Sequence, residues 1–223
     1  VDGTIGVAPA LFHHLPTAGI AYVTLAFDMA ALPTRLVPLL PLFSRALLEM
    51  GTTRRSYVDL GLEVAAQTGG MGAYPSFMTS QDGRKSLSYF MVSGKANLDR
   101  VGGLADLFRE IILDTEFDNL ERFRQMLFEE RARQEQHLVP SGHSVVISRL
   151  GAVRSVSGGL AELADGISNM DLVRDWADHF DERWPDLLAD LKAIRELLLR
   201  RDNLIVNVTQ EERYASQVER ALE

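Results

Sequence analysis

The sequence predicts an α+β fold: a mainly antiparallel sheet with long helices packed on one of its faces. Three observations predict it. Asp82-Gly83 is a hairpin signal between two strand-like runs, 71–79 and 87–93, so at least part of the sheet is antiparallel. Apolar residues recur at helical spacing, as at Leu36, Leu39, Leu40, Phe43, Leu47 and Met50. Strands are few and helices many, and the chain reads as strand, two helices, hairpin, long helical run, strand, helix.

Each element has a local reason. Residues 1–18, rich in Pro, Ala and His, read as an extended lead-in outside the domain proper. Gly19 to Phe27 alternates β-branched and aromatic residues and reads as the first strand. Leu36 to Met50 reads as a helix that becomes regular only after Pro38, with Gly51 closing it. Arg54 to Gln67 is a second helix, ended by Thr68-Gly69-Gly70, and the hairpin follows. Gly94 to Asn97 reads as a turn into a helix over 98–114. Asp118 or Asn119 caps the next helix, to about Gln136, and Pro140-Ser141-Gly142 interrupts it. Helix resumes at His143 and breaks at Ser157-Gly158-Gly159. Residues 160–201 are helical in pieces, with Pro185 at a helix start. Asn203 to Val208 is the last strand and Glu211 to Leu222 the last helix. With no repeat and no low-complexity linker, residues 19–223 read as one domain.

Composition excludes several function classes. The net charge of −8 over 223 residues argues against a nucleic-acid surface, which needs a basic stripe. No apolar run reaches the ~20 residues of a membrane span. There is no cysteine, hence no disulfide framework and no thiol chemistry; this agrees with a reducing compartment such as the cytoplasm, while the compartment itself stays open. The first residues, Val1 to Gly6, have neither a basic nor an apolar signal region, and the chain does not open on Met. The expectation is therefore a soluble segment of a longer protein.

The most informative stretch is Pro41-Leu42-Phe43-Ser44-Arg45-Ala46-Leu47-Leu48-Glu49-Met50-Gly51-Thr52. Further landmarks are Thr17 to Tyr22, Phe27-Asp28-Met29, Gln67-Thr68-Gly69-Gly70, Ser93-Gly94-Lys95-Ala96, Arg122-Phe123, Ser141-Gly142-His143 and Ile205 to Thr209. In that order, over nearly the whole chain, they resemble the presequence-protease (falcilysin-like) branch of the pitrilysin/insulinase-type zinc metallopeptidases. That family carries an inverted zinc motif, His-x-x-Glu-His, on a helix ending in a Gly-Thr-like turn. The three motif positions here read Leu42, Arg45 and Ala46. Leu42 and Ala46 offer no lone pair, and Arg45 is a fixed cation.

The resemblance therefore implies a first domain of the carboxy-terminal half, a non-catalytic wall of a chamber that encloses unfolded peptide. It implies zinc in the amino-terminal half and none on this chain, with no catalytic or metal-binding residue here. It also implies other domains of the same polypeptide as partners, no membrane, and exposed apolar surface where those domains dock. Substrate-contacting residues are not assigned. The alternative is a stand-alone, non-catalytic partner subunit of a two-subunit processing peptidase; a further rival is an unrelated enzyme on a similar scaffold.

Other constellations read more simply. His137 and His143, with Glu129, Glu130 and Glu135 upstream, lack a usual zinc spacing, so solvated or turn-stabilising roles are preferred. His13-His14 reads as a solvated loop pair, and His179 as part of an acidic helix face. Ser141-Gly142-His143 lacks a nucleophile elbow. Gly69 to Gly72 follows a helix and lacks the Lys-Ser/Thr of a phosphate loop, so it reads as a tight turn. Glu121 to Arg133 reads as a solvated face laced with ion pairs. The seven methionines read as core filler.

Overall fold

The computed structural model describes residues 3–138 and 140–222. Residues 1 and 2 of the expected lead-in and residue 223 at the expected domain end lie outside the described residues.

Three strands open the chain: β1 (Gly3–Ile5), β2 (Ala8–His14) and β3 (Ile20–Asp28). Two helices follow, α1 (Leu40–Glu49) and α2 (Tyr57–Gln67), then the hairpin β4 (Met71–Thr79) and β5 (Ser86–Asn97). The helical run comprises α3 (Val101–Leu113), α4 (Leu120–Leu138), α5 (Gly142–Ala152), α6 (Val156–Asp165), α7 (Ile167–Asp178) and α8 (Phe180–Leu198). β6 (Leu204–Gln210) and α9 (Ala215–Leu222) complete it.

The six strands form one sheet in the order β1-β2-β6-β3-β5-β4. Every pairing is antiparallel except β2 with β6. The last strand thus becomes a central one, closing the chain on its own beginning. Alternation along the strands separates two faces. Ala21, Val23 and Phe27 of β3, Phe90 and Val92 of β5, and Val206 and Val208 of β6 are buried under the helices. Tyr22, Tyr74 and Met78 project from the opposite face and are exposed.

Helix α1 anchors the core. Its Phe43 packs 5.3 Å from Phe90 and 5.6 Å from Phe117, centroid to centroid. A second aromatic group, Phe123 with Phe180 and Trp184, joins α4 to α8. Pro38 and Pro41 have the expected effect: residues 34–39 form a 3-10 turn, and the regular helix starts at Leu40 with Pro41 in its first turn. Gly51 takes φ +90° just past the helix end, where a Cβ would lie 2.9 Å from the Tyr57 backbone nitrogen.

Several expectations need correction. The lead-in is part of the sheet: residues 3–14 form β1 and β2, because β6 offers a second edge to which β2 pairs in parallel. Such long-range pairing leaves no local mark in the sequence. Gly94 to Asn97 are strand, not turn; Gly94 is required where a Cβ would meet Leu104 at 2.6 Å. Ser157-Gly158-Gly159 does not break a helix. Ser155 caps α6 by accepting from the Gly158 N–H, and the glycines lie inside the helix. Pro185 sits in the second turn of α8, which starts at Phe180. Met78 is 41% exposed and is not core filler.

Candidate functional site

Helix α1 carries the three positions at which the resemblance places metal ligands. Leu42 and Ala46 are buried in the core. Arg45 grips Glu49 with two nitrogens, at 3.0 and 2.8 Å, which is the bidentate geometry a guanidinium favours. The same side chain donates to Glu129 at 2.7 Å and to the Met126 carbonyl at 3.1 Å. Arg122 completes the group, donating to the Glu49 carboxylate at 3.0 Å and to the Glu49 carbonyl at 2.9 Å. The Glu49 hydrogen bonds raise the Arg45 pKa; burial opposes this, and Glu129 adds to it. The network ties α1 to α4 and uses the carboxylates nearest to the motif positions as partners for arginine. A zinc ion needs lone pairs from about three such side chains. This donor set, two hydrocarbons and a committed cation, does not fit zinc.

Beside the network lies an open cleft of about 490 Å³ between α1, β4, α4 and α6. Arg45, Tyr74, Phe77, Glu130, Arg133 and Asp165 are among the residues that line it. Glu130 is buried; it accepts from Arg133 at 2.9 and 2.5 Å and from Gln134 at 2.8 Å. Burial pushes its carboxyl upward, but Arg133 and Gln134 outweigh that and hold it below its ordinary value. One wall is β4, which among the described residues pairs only with β5 and so keeps a free edge. Pro75 fixes the parity of that edge: lacking an N–H, it is tolerated only where its nitrogen faces away from β5. Ala73 and Phe77, two residues on either side, therefore turn their backbone groups outward.

The other predicted residues fall elsewhere. His137 is exposed and contacts the Arg133 carbonyl at 2.8 Å through Nδ1, a helix-end role. His143 is exposed on α5. His13 pairs with Asn207 Oδ1 at 2.9 Å across β2 and β6, so it belongs to the sheet and not to a loop. His179 lies 3.2 Å from Asp175, on the acidic face expected. Among the described residues no three His, Asp or Glu side chains gather as a metal-holding group. Gly69 to Gly72 is the helix-to-strand turn, with Gly70 at φ +120° and the Gly69 N–H on the Lys95 carbonyl. The 121–133 face is laced with charge, but Arg122 reaches Glu49 of α1, while Arg124 and Arg131 reach Asp181 and Asp178 on other elements. Its opposite side, Phe123, Met126 and Leu127, is core.

Sequence reasoning missed the Arg45–Glu49–Arg122–Glu129 group as a unit. Only the Arg45–Glu49 spacing of four was visible in the sequence; Glu129 lies 84 residues away. It also missed Glu110, which is buried and accepts from Thr52 Oγ1 at 2.7 Å and from Arg55, pinning the turn after α1 to α3.

Fold and site together define an α+β domain whose α1 carries two hydrocarbon side chains and a paired arginine at the three positions compared with the zinc motif. Residues 2–175 match the family model for the domain associated with peptidase M16, subfamily C, and the chain belongs to that family. It is 32% identical over 220 residues to presequence protease 1, chloroplastic/mitochondrial, of Arabidopsis thaliana, covering 99% of this chain and 20% of that protein. It is 27% identical to the mitochondrial presequence protease of Xenopus tropicalis, covering 91% of this chain and 20% of the relative. The chain therefore spans about a fifth of the length of these relatives. Among solved structures, a conserved protein from Enterococcus faecalis V583 aligns with TM-score 0.63 at 13% identity, over 94% of this chain and 48% of that one. The peptidase M16 inactive domain from Pseudomonas fluorescens aligns with TM-score 0.56 at 16% identity, over 96% and 48%. These two likenesses concern the fold. The resemblance read from Leu42 to Thr52 and its companion motifs is thus borne out.

Proposed function

We propose that this domain is a non-catalytic wall of a peptide-degrading chamber, holding unfolded peptide while a zinc site on another domain of the same polypeptide cuts it. The observation that carries the reading is the pairing of a motif helix unfit for metal with an open cleft beside a free strand edge. An extended peptide adds to the outward N–H and C=O groups of β4 near Ala73 and Phe77. Its alternate side chains drop toward Phe77 and the Arg133–Glu130 pair. Backbone pairing of this kind tolerates many sequences, which suits a chamber that accepts unfolded chains. No step of peptide hydrolysis is assigned to this domain. Zinc, where bound elsewhere, supplies the activated water.

The test is anisotropy of a fluorescein-labelled unstructured peptide titrated with the domain in the presence of chelator. The wild type binds. Ala73→Pro removes one outward donor without touching the β5 ladder, and weakens binding roughly threefold to tenfold, the worth of one hydrogen bond. Circular dichroism checks that the variant is folded. No binding at millimolar domain, or an unchanged affinity in a folded Ala73→Pro variant, would sink the strand-edge reading.

A further inference from the structure

Helix α5 presents apolar surface that nothing among the described residues covers. None of its residues is buried. Val146 is 58% exposed, Ile147 66%, Leu150 51%, and Val153 just beyond the helix 82%. At 100° per residue these side chains share one stripe with His143 and Arg154, both exposed. An isolated helix of this length is marginal in water, so it needs packing to persist. Its other side has that packing. Gly158 of α6 approaches Gly151 so closely that a Cβ there would lie 2.3 Å from the Gly151 carbonyl oxygen. The stripe is thus held out on a firm support.

Charge narrows what can cover it. Helix α5 carries no carboxylate, although the chain has a net charge of −8. His143 stands at one end of the stripe and Arg154 at the other. Arg149 flanks it, with its charge answered from behind by the buried Glu162 at 3.0 Å. A second copy pairing stripe to stripe about a two-fold axis would set each Arg154 against the imidazole of His143, with no carboxylate on α5 to answer the guanidinium. A basic peptide meets the same objection. An apolar face with an acidic rim meets none. Relatives about five times the length of this chain have further sequence that can supply one.

We propose that α5 docks, through Val146, Ile147, Leu150 and Val153, on an apolar, acid-rimmed face of another domain of the same polypeptide. This goes beyond the peptide-binding reading and does not rest on it.

Hydrogen–deuterium exchange of the isolated domain and of the full-length polypeptide that encodes it tests the proposal. Amides of 146–153 should exchange about tenfold or more slowly in the full-length protein. The double substitution Ile147→Glu, Leu150→Glu should return them to fast exchange there. It should leave the melting temperature of the isolated domain within about 2 °C, because both positions face solvent. Equal α5 exchange rates in the two wild-type proteins would overturn the docking. So would an isolated wild-type domain that dimerises and is made monomeric by the double substitution, which would make a second copy the occupant. Capture of α5 by anionic phosphatidylglycerol vesicles, with equal α5 protection in both soluble proteins, would overturn it in favour of a membrane surface.

Discussion

Arg45 stands at the middle of the three positions on α1 compared with the zinc motif, and its side chain is committed to carboxylates. Its guanidinium satisfies Glu49 and Glu129, and Arg122 shares Glu49 with it, so two arginines balance two carboxylates between α1 and α4. Arg45→Glu should place a third carboxylate among them and cost roughly 1 kcal/mol, more than Arg45→Ala, since like charges repel even in this partly solvated group. Paired urea denaturation curves measure the difference. The buried glutamates give a pH dependence whose sign follows from their environment. Burial raises the Glu130 and Glu162 carboxyls, but hydrogen bonds and arginine partners more than compensate, leaving both below the ordinary value of 4.5. Groups depressed on folding stabilise the protein above their unfolded value and lose that contribution as pH falls through the folded value. Stability should therefore be level above about pH 5 and decline below 4.5, and Glu130→Gln should flatten the decline. Melting temperatures from pH 3 to 7 provide the check. The non-ligand character of Leu42, Arg45 and Ala46 was fully legible in the sequence, because residue type alone decides who can donate a lone pair. Of the partners of Arg45, Glu49 stands at a visible spacing of four, whereas Glu129 was not legible, because it comes from a helix 84 residues away.

At the scale of elements, the helices were legible wherever apolar spacing and caps coincide. Ser56 accepts from the Asp59 N–H at the start of α2, and Asn119 accepts from the Arg122 N–H at the start of α4. The glycines misled. Gly158 and Gly159 read as a break because glycine is a poor helix former, yet here absence of a side chain is what lets α5 and α6 touch. Gly158→Ala should consequently destabilise by roughly 2 kcal/mol, against the usual gain of Gly→Ala in a helix, since its methyl group would overlap the Gly151 carbonyl. Ser155→Ala should cost about 1 kcal/mol through loss of the cap. Calorimetry of both variants separates packing from propensity: a more stable Gly158→Ala protein would mean the two helices are not in close contact.

For the molecule as a whole, the sheet binds the two ends of the chain together. β2 near the start and β6 near the end run side by side, and β3 flanks β6, so the order of strands is not the order of the sequence. That is why residues 3–14 were read as a lead-in: nothing local marks a strand whose partner lies 196 residues away, as Ala10 does with Val206. Among the described residues no helix is long and apolar enough to cross a membrane. What remains exposed is uneven: a free β4 edge beside a charged cleft on one flank, and an apolar helix stripe on another.

The most direct measurement is elemental zinc content of the purified domain, read together with cleavage of a fluorogenic peptide on the same sample. No bound zinc and no cleavage by the domain alone are expected. Stoichiometric zinc with chelator-sensitive cleavage would contradict that expectation, and would make His137, His143 and the glutamates of α4 the first residues to test as ligands.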